Sequence, residues 1–255
     1  MQTFKNNRSN IKVVKPNWSV SSKIQSFTTT RNEELPQQPY SSFNLATHVL
    51  DDKNKVLSNR RSLVDEFDFK QEPLWLNQQH TANVIYWDGK EYSQPPIADA
   101  VWTDKKNLPL VVMTADCLPL LICNKNETIV AAIHAGWKGL AEGIISKTIQ
   151  TLPDNPANLQ VWIGPSISQK NFEVDTELKE VFVKKNSLNN SFFAKSNVAG
   201  KYYADLVAIA GLELKILGVK QVFKSGLCTY ESKKYFYSYR REPITGRMGS
   251  FILMQ

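Results

Sequence analysis

Two histidines and one cysteine are the residues of this sequence best suited to chemistry. His80 (LNQQHTANV) precedes a predicted strand, Cys117 (MTADCLP) follows one, and His134 (AAIHAGW) lies between a strand and a helix. Strand ends are where α/β proteins usually place ligand and catalytic groups. Two imidazoles and a thiolate suit zinc, and three protein ligands leave the open fourth position of a catalytic site. Their separations of 37 and 17 residues match no compact zinc-finger motif.

A structural interpretation stands beside the catalytic one for each residue. A histidine at a strand end is often simply hydrogen-bonded, and Cys117 could be a small buried apolar side chain. Asp116 favours the catalytic interpretation, because a carboxylate inside the most apolar tract, 108–123, is costly unless it is paired or used. We assign structural roles to the remaining candidates, Cys123 and His48.

Two loops supply further groups near these residues. In HAGWKG, Gly136 and Gly139 would let the backbone approach an anionic ligand at a helix N-terminus, and Lys138 could add charge. Ser166 follows a predicted strand in IGPS, where its hydroxyl could line a pocket. An ordinary turn accounts for IGPS equally well.

A strip of interleaved aromatic and basic residues occupies 228–247 (CTYESKKYFYSYRREPITGR). Such interleaving is typical of single-stranded nucleic acid binding, through base stacking and phosphate contacts. The alternation in YFYSY also fits a half-buried strand, with Arg240 and Arg241 at its end available to a small phosphorylated or carboxylated ligand.

Composition restricts the class of protein. The chain has 255 residues, a formal net charge of +7 and 42% hydrophobic residues, which predicts one domain over 1–255 with 1–10 as a flexible N-terminal tail. Three cysteines cannot form a closed disulfide framework, so we expect a reducing, cytoplasmic location. Three histidines are too few for the ligands of several copper atoms, which excludes multicopper chemistry.

Neither a secretion signal nor a membrane span is expected. The N-terminal stretch is basic and lacks an apolar run that could serve as a signal-peptide core. The apolar tract 108–123 contains Asp116 and is interrupted by Pro109 and Pro119, whereas a spanning helix needs about 20 mostly apolar residues.

Hydrophobic periodicity predicts an α/β (α+β) fold with mixed β-sheets covered by helices. The predicted strands are 24–30, 83–87, 110–113, 119–123, 128–133, 159–164, 221–223, 235–239 and 250–254. The predicted helices are 51–67, 139–152, 175–185 and 203–217.

Several blocks in a fixed order resemble the YfiH-type proteins, a family long labelled polyphenol oxidases or laccase-domain proteins and now described as purine nucleoside phosphorylases. The resemblance runs from about Ile11 to the C-terminus. The blocks that carry it are 29–31 (TTR), 43–45 (FNL), 79–80 (QH), 114–117 (TADC), 134–137 (HAGW), 163–166 (IGPS), 228–229 (CT), 238–241 (SYRR) and 245–247 (TGR).

The resemblance implies a sandwich fold similar to that of certain cysteine-dependent toxins, and a zinc ion bound by His80, Cys117 and His134. It implies phosphorolysis of adenosine, inosine and S-methyl-5′-thioadenosine, with inorganic phosphate as co-substrate, together with deamination of adenosine and no separate organic cofactor. Copper is an alternative metal. The expected partners are therefore small purine nucleosides rather than a membrane or a nucleic acid.

Roles for individual residues follow as hypotheses from this resemblance. Asp116 and Cys117 are the catalytic candidates, with Asp116 moving protons beside the metal. The substrate-binding and phosphate-binding candidates are Arg31, Asn44, Ser166 and Arg240. The chain departs from the family pattern at Thr81, where glycine is usual, at Lys138, where arginine is common, and at 32–34, where Asn-Glu-Glu replaces Gly-Gly.

Two other functions remain open at this point. In the first, Cys117 is a thiolate nucleophile with His80 or His134 as its base, which describes a metal-free cysteine hydrolase. In the second, the net charge and the strip 228–247 form a single-stranded nucleic-acid-binding module, whose affinity would fall steeply with salt.

Overall fold

The structure is a computed structural model, which describes residues 11–31, 39–40 and 42–255, together with a short strand at Thr3–Phe4. The predicted tail 1–10, apart from that strand, and the departure at 32–34 lie outside the described residues. The strands are β1 (Thr3–Phe4), β2 (Val13–Val14), β3 (Ile24–Thr29), β4 (Val84–Tyr86), β5 (Ala100–Thr103), β6 (Leu110–Thr114), β7 (Leu118–Asn124), β8 (Val130–Ala135), β9 (Leu159–Ile163), β10 (Glu173–Asp175), β11 (Phe193–Lys195), β12 (Lys201–Ala204), β13 (Gln221–Lys224) and β14 (Met248–Met254). The α-helices are α1 (Lys53–Glu66), α2 (Trp137–Glu142), α3 (Ile144–Thr151), α4 (Thr176–Lys185) and α5 (Leu206–Ile216).

Two large sheets form the centre of the molecule. One has five antiparallel strands in the order β1-β2-β3-β14-β6. The other has six strands in the order β13-β9-β7-β8-β5-β4, antiparallel inside and parallel at both edge pairs. A third, small sheet, β10-β12-β11, contributes Val174, Phe193 and Ala204 to the core cluster on one face of the six-stranded sheet. The two large sheets bring the end of β6, the start of β7 and the end of β8 into one region.

The five-stranded sheet lies between α1 and the six-stranded sheet, and its side chains point alternately to the two. In β6, Val111 and Met113 pack in a cluster with Leu63 of α1, whereas Leu110 and Val112 join the cluster between the two sheets. Because successive side chains of a strand point to opposite faces, this strand is buried on both sides. All five of its residues are buried, which explains why its sequence is an apolar run without polar alternation.

The six-stranded sheet is covered in the same way. Leu120 and Ile122 of β7 pack in a cluster that includes α2, α3 and α5, and Leu121 and Cys123 face the five-stranded sheet. The resulting order of layers is helix, sheet, sheet, helices. This arrangement confirms the predicted α/β (α+β) fold of mixed sheets covered by helices.

The predicted helix 139–152 is wrong as a single element, since α2 and α3 meet at Gly143. Gly143 has a left-handed backbone (φ +85°), and its N–H donates to Leu140 O (3.1 Å), which ends α2. The periodicity of the apolar residues continues across the break, so a pattern of side chains could not reveal it.

Two other predictions at the C-terminal side are corrected. Tyr203 and Ala204, assigned to a helix, belong to β12, and the helix begins after Asp205, whose carboxylate accepts from Ala208 N (2.8 Å). The expected strand at 235–239 is a series of turns, in which the N–H groups of Tyr235 and Phe236 both donate to Ser232 O. Phe236 and Tyr237 are fully buried by the packing of these turns, so the aromatic residues of this segment serve the core without forming a strand.

The most important strand that the sequence did not predict is β5, because polar residues flank it. Its residues are nearly all buried, and it pairs antiparallel with β8, which carries His134. None of the described helices is long and apolar enough to cross a bilayer.

Candidate metal centre

The structure brings His80, Cys117 and His134 together. One side-chain donor atom from each lies within 4.8 Å of the others, and Cys117 Sγ is 3.6 Å from His80 Nε2. The two imidazole rings meet edge to face, with centroids 4.7 Å apart. Zinc bonds of about 2.0–2.1 Å to nitrogen and 2.3 Å to sulfur, at tetrahedral angles, would place these two ligand atoms about 3.6 Å apart. The donor set therefore fits a zinc ion.

Three separate elements position the donors. His80 lies in the segment before β4, Cys117 in the turn between β6 and β7, and His134 in β8, where it pairs with Pro119 of β7. His134 is buried, Cys117 is partly exposed and His80 is exposed. The group thus opens to solvent on the His80 side, where a substrate could approach.

Asp99 orients two of the three donors, and sequence analysis did not identify it. Its Oδ1 accepts from His134 Nδ1 (2.7 Å) and from His80 N (3.1 Å), and its Oδ2 accepts from Thr81 N and Thr81 Oγ1 (2.7 and 2.8 Å). The bond to Nδ1 directs Nε2 of His134 to Cys117 and His80, as in histidines that bind metal. Thr81, one of the departures from the family pattern, supplies two of these bonds.

The burial of Asp99 shows how it could have been found. It is fully buried between Ala98 and Ala100, and burial would raise its pKa. Hydrogen bonds from His134 and Thr81 reverse that effect and hold the pKa of Asp99 below its usual range. Like Asp116, Asp99 in PPIADAV is a carboxylate in an apolar setting, which is costly unless the carboxylate is paired or used.

Two residues of the site have a left-handed backbone without being glycine. His80 has φ +61° and Asp116 has φ +91°. Such conformations cost roughly 1–3 kcal/mol and persist where the surroundings determine them. The hydrogen bond from His80 N to Asp99 supplies that restraint for His80, which aims its ring at Cys117.

Gly136 makes room for the metal ligands. A Cβ at this position would lie 2.5 Å from His80 Cδ2 and 3.1 Å from Cys117 Sγ. The sequence predicted that the HAGWKG backbone approaches a bound anion, but α2 has only six residues and Gly136, at its N-cap, packs against protein donors. Lys138 is exposed and lies over the Trp137 ring, at 5.7 Å.

The histidines favour a thiolate at Cys117. Burial would raise the pKa of Cys117, but the His134 and His80 imidazoles lower this pKa to about 6. Conversely, burial would lower the pKa of His134, and the Cys117 thiolate and Asp99 raise it. Cys123, in contrast, is buried in β7, which raises the pKa of its thiol to about 12. A thiolate at neutral pH is the form that binds metal or attacks a carbonyl.

Asp116 connects the Cys117 turn to two distant loops. Its Oδ1 accepts from Thr229 Oγ1 and its Oδ2 from Arg240 N, both at 2.7 Å, and its main-chain O accepts from Ile167 N (3.0 Å). Because each carboxylate oxygen already accepts a hydrogen bond, the geometry favours a positioning role for Asp116 over the predicted proton transfer.

The predicted substrate-binding residues are mostly buried. Arg31 lies over the Tyr237 ring, 5.0 Å from its centroid, and Ser166 hydrogen-bonds through its backbone to Leu227 and Thr229. Arg240 is exposed, and its Nη1 donates to Glu173 O (3.0 Å).

Asn44 is fully buried and its side-chain amide makes four hydrogen bonds. The amide donates to Ala46 O and Asp51 Oδ2, and Asn44 Oδ1 accepts from Ala46 N and Arg247 N. This uses the full capacity of the amide group. The geometry therefore favours a positioning role for Asn44 over the predicted direct contact with a nucleoside.

Part of the strip 228–247 is buried and therefore cannot stack on bases. Phe236 and Tyr237 are fully buried, and the Arg241 guanidinium donates to the carbonyls of Thr229, Tyr230 and Phe236. These three residues stabilise the loop, whereas Tyr239 and Arg240 remain exposed, so only part of the surface that the nucleic-acid-binding alternative needs is present.

Known proteins resemble this chain over most of its length. Residues 25–255 match the family model described as "Multi-copper polyphenol oxidoreductase laccase". A Haemophilus influenzae protein named purine nucleoside phosphorylase is 40% identical over 95% of this chain and 99% of its own length. Escherichia coli YfiH, named purine nucleoside phosphorylase YfiH, is 37% identical over 94% of this chain and 98% of its own length.

Solved structures show the same fold. A crystal structure of a Neisseria meningitidis protein of the DUF152 family is 36% identical and covers 97% of this chain and 100% of its own, with a TM-score of 0.89. YlmD from Geobacillus stearothermophilus is 25% identical and covers 99% of both chains, with a TM-score of 0.88. The chain belongs to the YfiH (DUF152) family of laccase-domain proteins.

Proposed function

We propose that this protein is a zinc-dependent purine nucleoside phosphorylase that acts on adenosine, inosine and S-methyl-5′-thioadenosine, and that it also deaminates adenosine. The observation that carries the proposal is the convergence of His80, Cys117 and His134 in a chain whose relatives are named purine nucleoside phosphorylases. In phosphorolysis, phosphate takes the place of the base at the ribose C1′ and releases the free base. In deamination, water replaces the amino group of adenine and ammonia leaves.

The residues of the site would hold the metal ion and fix its ligands. His80, Cys117 and His134 would hold the zinc ion, and Asp99 fixes the orientation of two of them. When bound, zinc would supply a Lewis acid that polarises a water molecule or a substrate atom. His80 is exposed, so a nucleoside would approach the site from that side.

Loops around the metal centre would shape the substrate pocket. Asp116 accepts a hydrogen bond from the backbone N–H of Arg240, and the Arg240 side chain, which donates to Glu173 O, would act as a substrate-binding group. Ser166 and Arg31 are buried and would support the pocket from behind. Copper is the alternative metal, since imidazole and thiolate also bind it.

One observation favours a second candidate, the metal-free cysteine hydrolase. Cys117 is partly exposed, its pKa is lowered to about 6, and His80 Nε2 lies 3.6 Å from its sulfur. A thiolate beside an imidazole is the arrangement that cysteine nucleophiles use. A hydrogen bond such as the one that His134 Nδ1 donates to Asp99 also occurs in such enzymes, so the two candidates share most of the geometry.

Product analysis tests the proposal. The purified protein is incubated with adenosine, with and without inorganic phosphate, and adenine, inosine and hypoxanthine are separated by chromatography. We expect free base only with phosphate and inosine in both conditions, and neither product from Cys117→Ala. Cys123→Ala, which deletes a thiol inside β7, serves as the matched control and should retain both activities.

Metal analysis of the same preparation separates the two candidates. One equivalent of zinc in protein purified without added metal, lost in His80→Ala, supports the proposal, and copper at that stoichiometry would replace zinc in it. Metal-free protein that forms no free base with phosphate would refute it. A stable acyl adduct on Cys117 from an activated ester would then establish the hydrolase.

A further inference from the structure

We propose that Arg247 and His48 form an oxyanion subsite beside the metal centre and hold inorganic phosphate during phosphorolysis, an assignment that rests on the proposed function. The sequence assigns His48 a structural role and includes Arg247 in the strip 228–247 and in the block 245–247, without a role of its own. The structure joins the segment that leads to His48 to the loop that contains Arg247 through Asn44, and β14 pairs Met248 with Thr114, three residues before Cys117.

The Arg247 side chain is held at one end and available at the other. Its Nη1 donates to the carbonyls of Thr245 (2.9 Å) and Gly246 (3.0 Å). Within the described part of the chain, its Nε and Nη2 form no hydrogen bond and no carboxylate pairs with it. A guanidinium fixed in this way presents the fork that matches phosphate oxygens.

Buried contacts fix the position of the Arg247 backbone. Its N–H donates to Asn44 Oδ1 (2.9 Å), and its carbonyl accepts from Leu45 N (3.4 Å). Gly246 packs so closely that a Cβ would lie 2.8 Å from Tyr237 Cζ and 2.9 Å from Asn44 Cβ. Arg247 therefore belongs to a rigid junction instead of a free loop.

The same junction fixes the segment that leads to His48. Arg60 of α1 donates from Nε and Nη2 to Leu45 O (2.9 and 2.7 Å), and Asn59 Nδ2 donates to Asn44 O (2.9 Å). Three residues further on, His48 is exposed, so its ring can meet a ligand from solvent.

The electrostatic effects on both residues agree with this placement. Burial lowers the pKa of Arg247, while the charges of Cys117 and Asp116 oppose that change. Partial burial lowers the pKa of His48, and the positive charges of Arg247 and Arg60 lower it further. Cationic groups thus gather around His48 at the edge of the site, which is a setting that favours an oxyanion.

The chemistry of the substrates indicates which oxyanion this is. Adenosine, inosine and S-methyl-5′-thioadenosine carry no phosphate and no negative charge at neutral pH, so a cationic subsite does not serve them. Inorganic phosphate is the anionic reactant of phosphorolysis, and a position beside the metal centre would bring it near the ribose.

Steady-state kinetics test this assignment. The rate of free-base formation is measured against phosphate concentration at saturating adenosine for wild type, Arg247→Gln, His48→Gln and His48→Glu. Because a hydrogen bond to a charged group contributes about 1.5–3 kcal/mol, we expect the phosphate KM of Arg247→Gln to rise by about tenfold or more. His48→Glu should raise the phosphate KM more than His48→Gln does, because the new negative charge repels phosphate. The adenosine KM of all three variants should stay within about twofold of wild type, which is less than the effect of one lost hydrogen bond.

Arg61→Gln is the matched control, since Arg61 is exposed on α1 next to Arg60 and outside the junction. Its phosphate KM should equal that of wild type. Wild-type phosphate KM values in both Arg247→Gln and His48→Glu would overturn the assignment while leaving the proposed phosphorylase intact. His48 is exposed, so the His48 variants keep the test decisive if Arg247→Gln does not fold.

A binding measurement separates failure of this assignment from failure of the proposed function. Inorganic phosphate is titrated into the purified protein by isothermal calorimetry without nucleoside. Phosphate binding that is weakened in His48→Glu and Arg247→Gln, but not in Arg61→Gln, supports the subsite even if no free base forms. Binding that all variants share, or no binding, would overturn it.

Discussion

Replacing Gly136 by alanine tests whether close packing holds the metal ligands in place. The added methyl group would lie 2.5 Å from His80 Cδ2 and 3.1 Å from Cys117 Sγ. Carbon atoms in contact prefer about 3.5–4.0 Å, so the His80 ring must move by about 1 Å or more. Metal–ligand distances hold to within about 0.2 Å, and a shift of this size removes His80 from its position.

The fold should tolerate the same change. Gly136 has φ −70° and ψ 164°, a conformation that alanine adopts without strain. His80 is exposed and can swing outward in the absence of metal. Alanine is a poor N-cap, which costs about 1 kcal/mol, so we expect the Tm in the presence of chelator to fall by about 2–4 °C.

Zinc affinity is the property expected to change. Disturbing the groups that orient a metal ligand typically reduces affinity by about 10–100-fold, equivalent to about 1.4–2.7 kcal/mol. Competition with a chromophoric chelator measures the Kd of wild type, Gly136→Ala and the control Gly211→Ala. Gly211 lies in α5, where an added Cβ meets nothing closer than 3.9 Å, so this variant should bind zinc as wild type does.

Wild-type zinc affinity in Gly136→Ala would refute the reasoning. It would mean that His80 is not held against Gly136 when metal is bound. A large fall in Tm with chelator present would refute the other half, since it would show that Gly136 supports the fold and not only the site.

Other changes probe the groups around the metal. Asp99→Asn should weaken zinc binding by about 10–100-fold, because an amide cannot accept every hydrogen bond that the carboxylate receives; an unchanged Kd by chelator competition would contradict this role. In metal-free protein at pH 7, iodoacetamide should alkylate Cys117 and leave the buried Cys123 unmodified, and zinc should protect Cys117; peptide mass mapping that finds equal labelling would argue against the thiolate. Gly143→Ala should lower stability by about 1–2 kcal/mol at a backbone with φ +85°, measured by urea unfolding, and a wild-type midpoint would show that the helix break is adaptable.

The sequence predicted the elements whose patterns are local. The amphipathic α1, capped by Asp52, and the apolar runs of β6 to β9 were all identified, because periodicity and capping residues lie within a few positions of one another. The strand predicted at 235–239 was wrong, because aromatic rings buried by loop packing and aromatic rings on a strand give similar sequence patterns.

The metal ligands could be predicted from the sequence, but the groups that orient them could not. Scarce residue types at strand ends, together with the family blocks, identified His80, Cys117 and His134. Asp99 acts through a hydrogen bond between β8 and the segment before β5, and such a pairing between distant segments leaves no spacing in the sequence. Asn44 was named for its motif, while its role in fixing Arg247 depends on contacts across 203 positions.

The unequal exposure of the three donors determines how the metal would enter and leave. His134 is anchored in a core strand and Cys117 in a tight turn, whereas His80 projects from an exposed segment. Exchange would therefore begin with dissociation of the His80 imidazole, while the other two donors keep their places. A chelator should strip the ion through a partly liganded intermediate without unfolding the sandwich, and the rate of removal should depend on the mobility of one side chain.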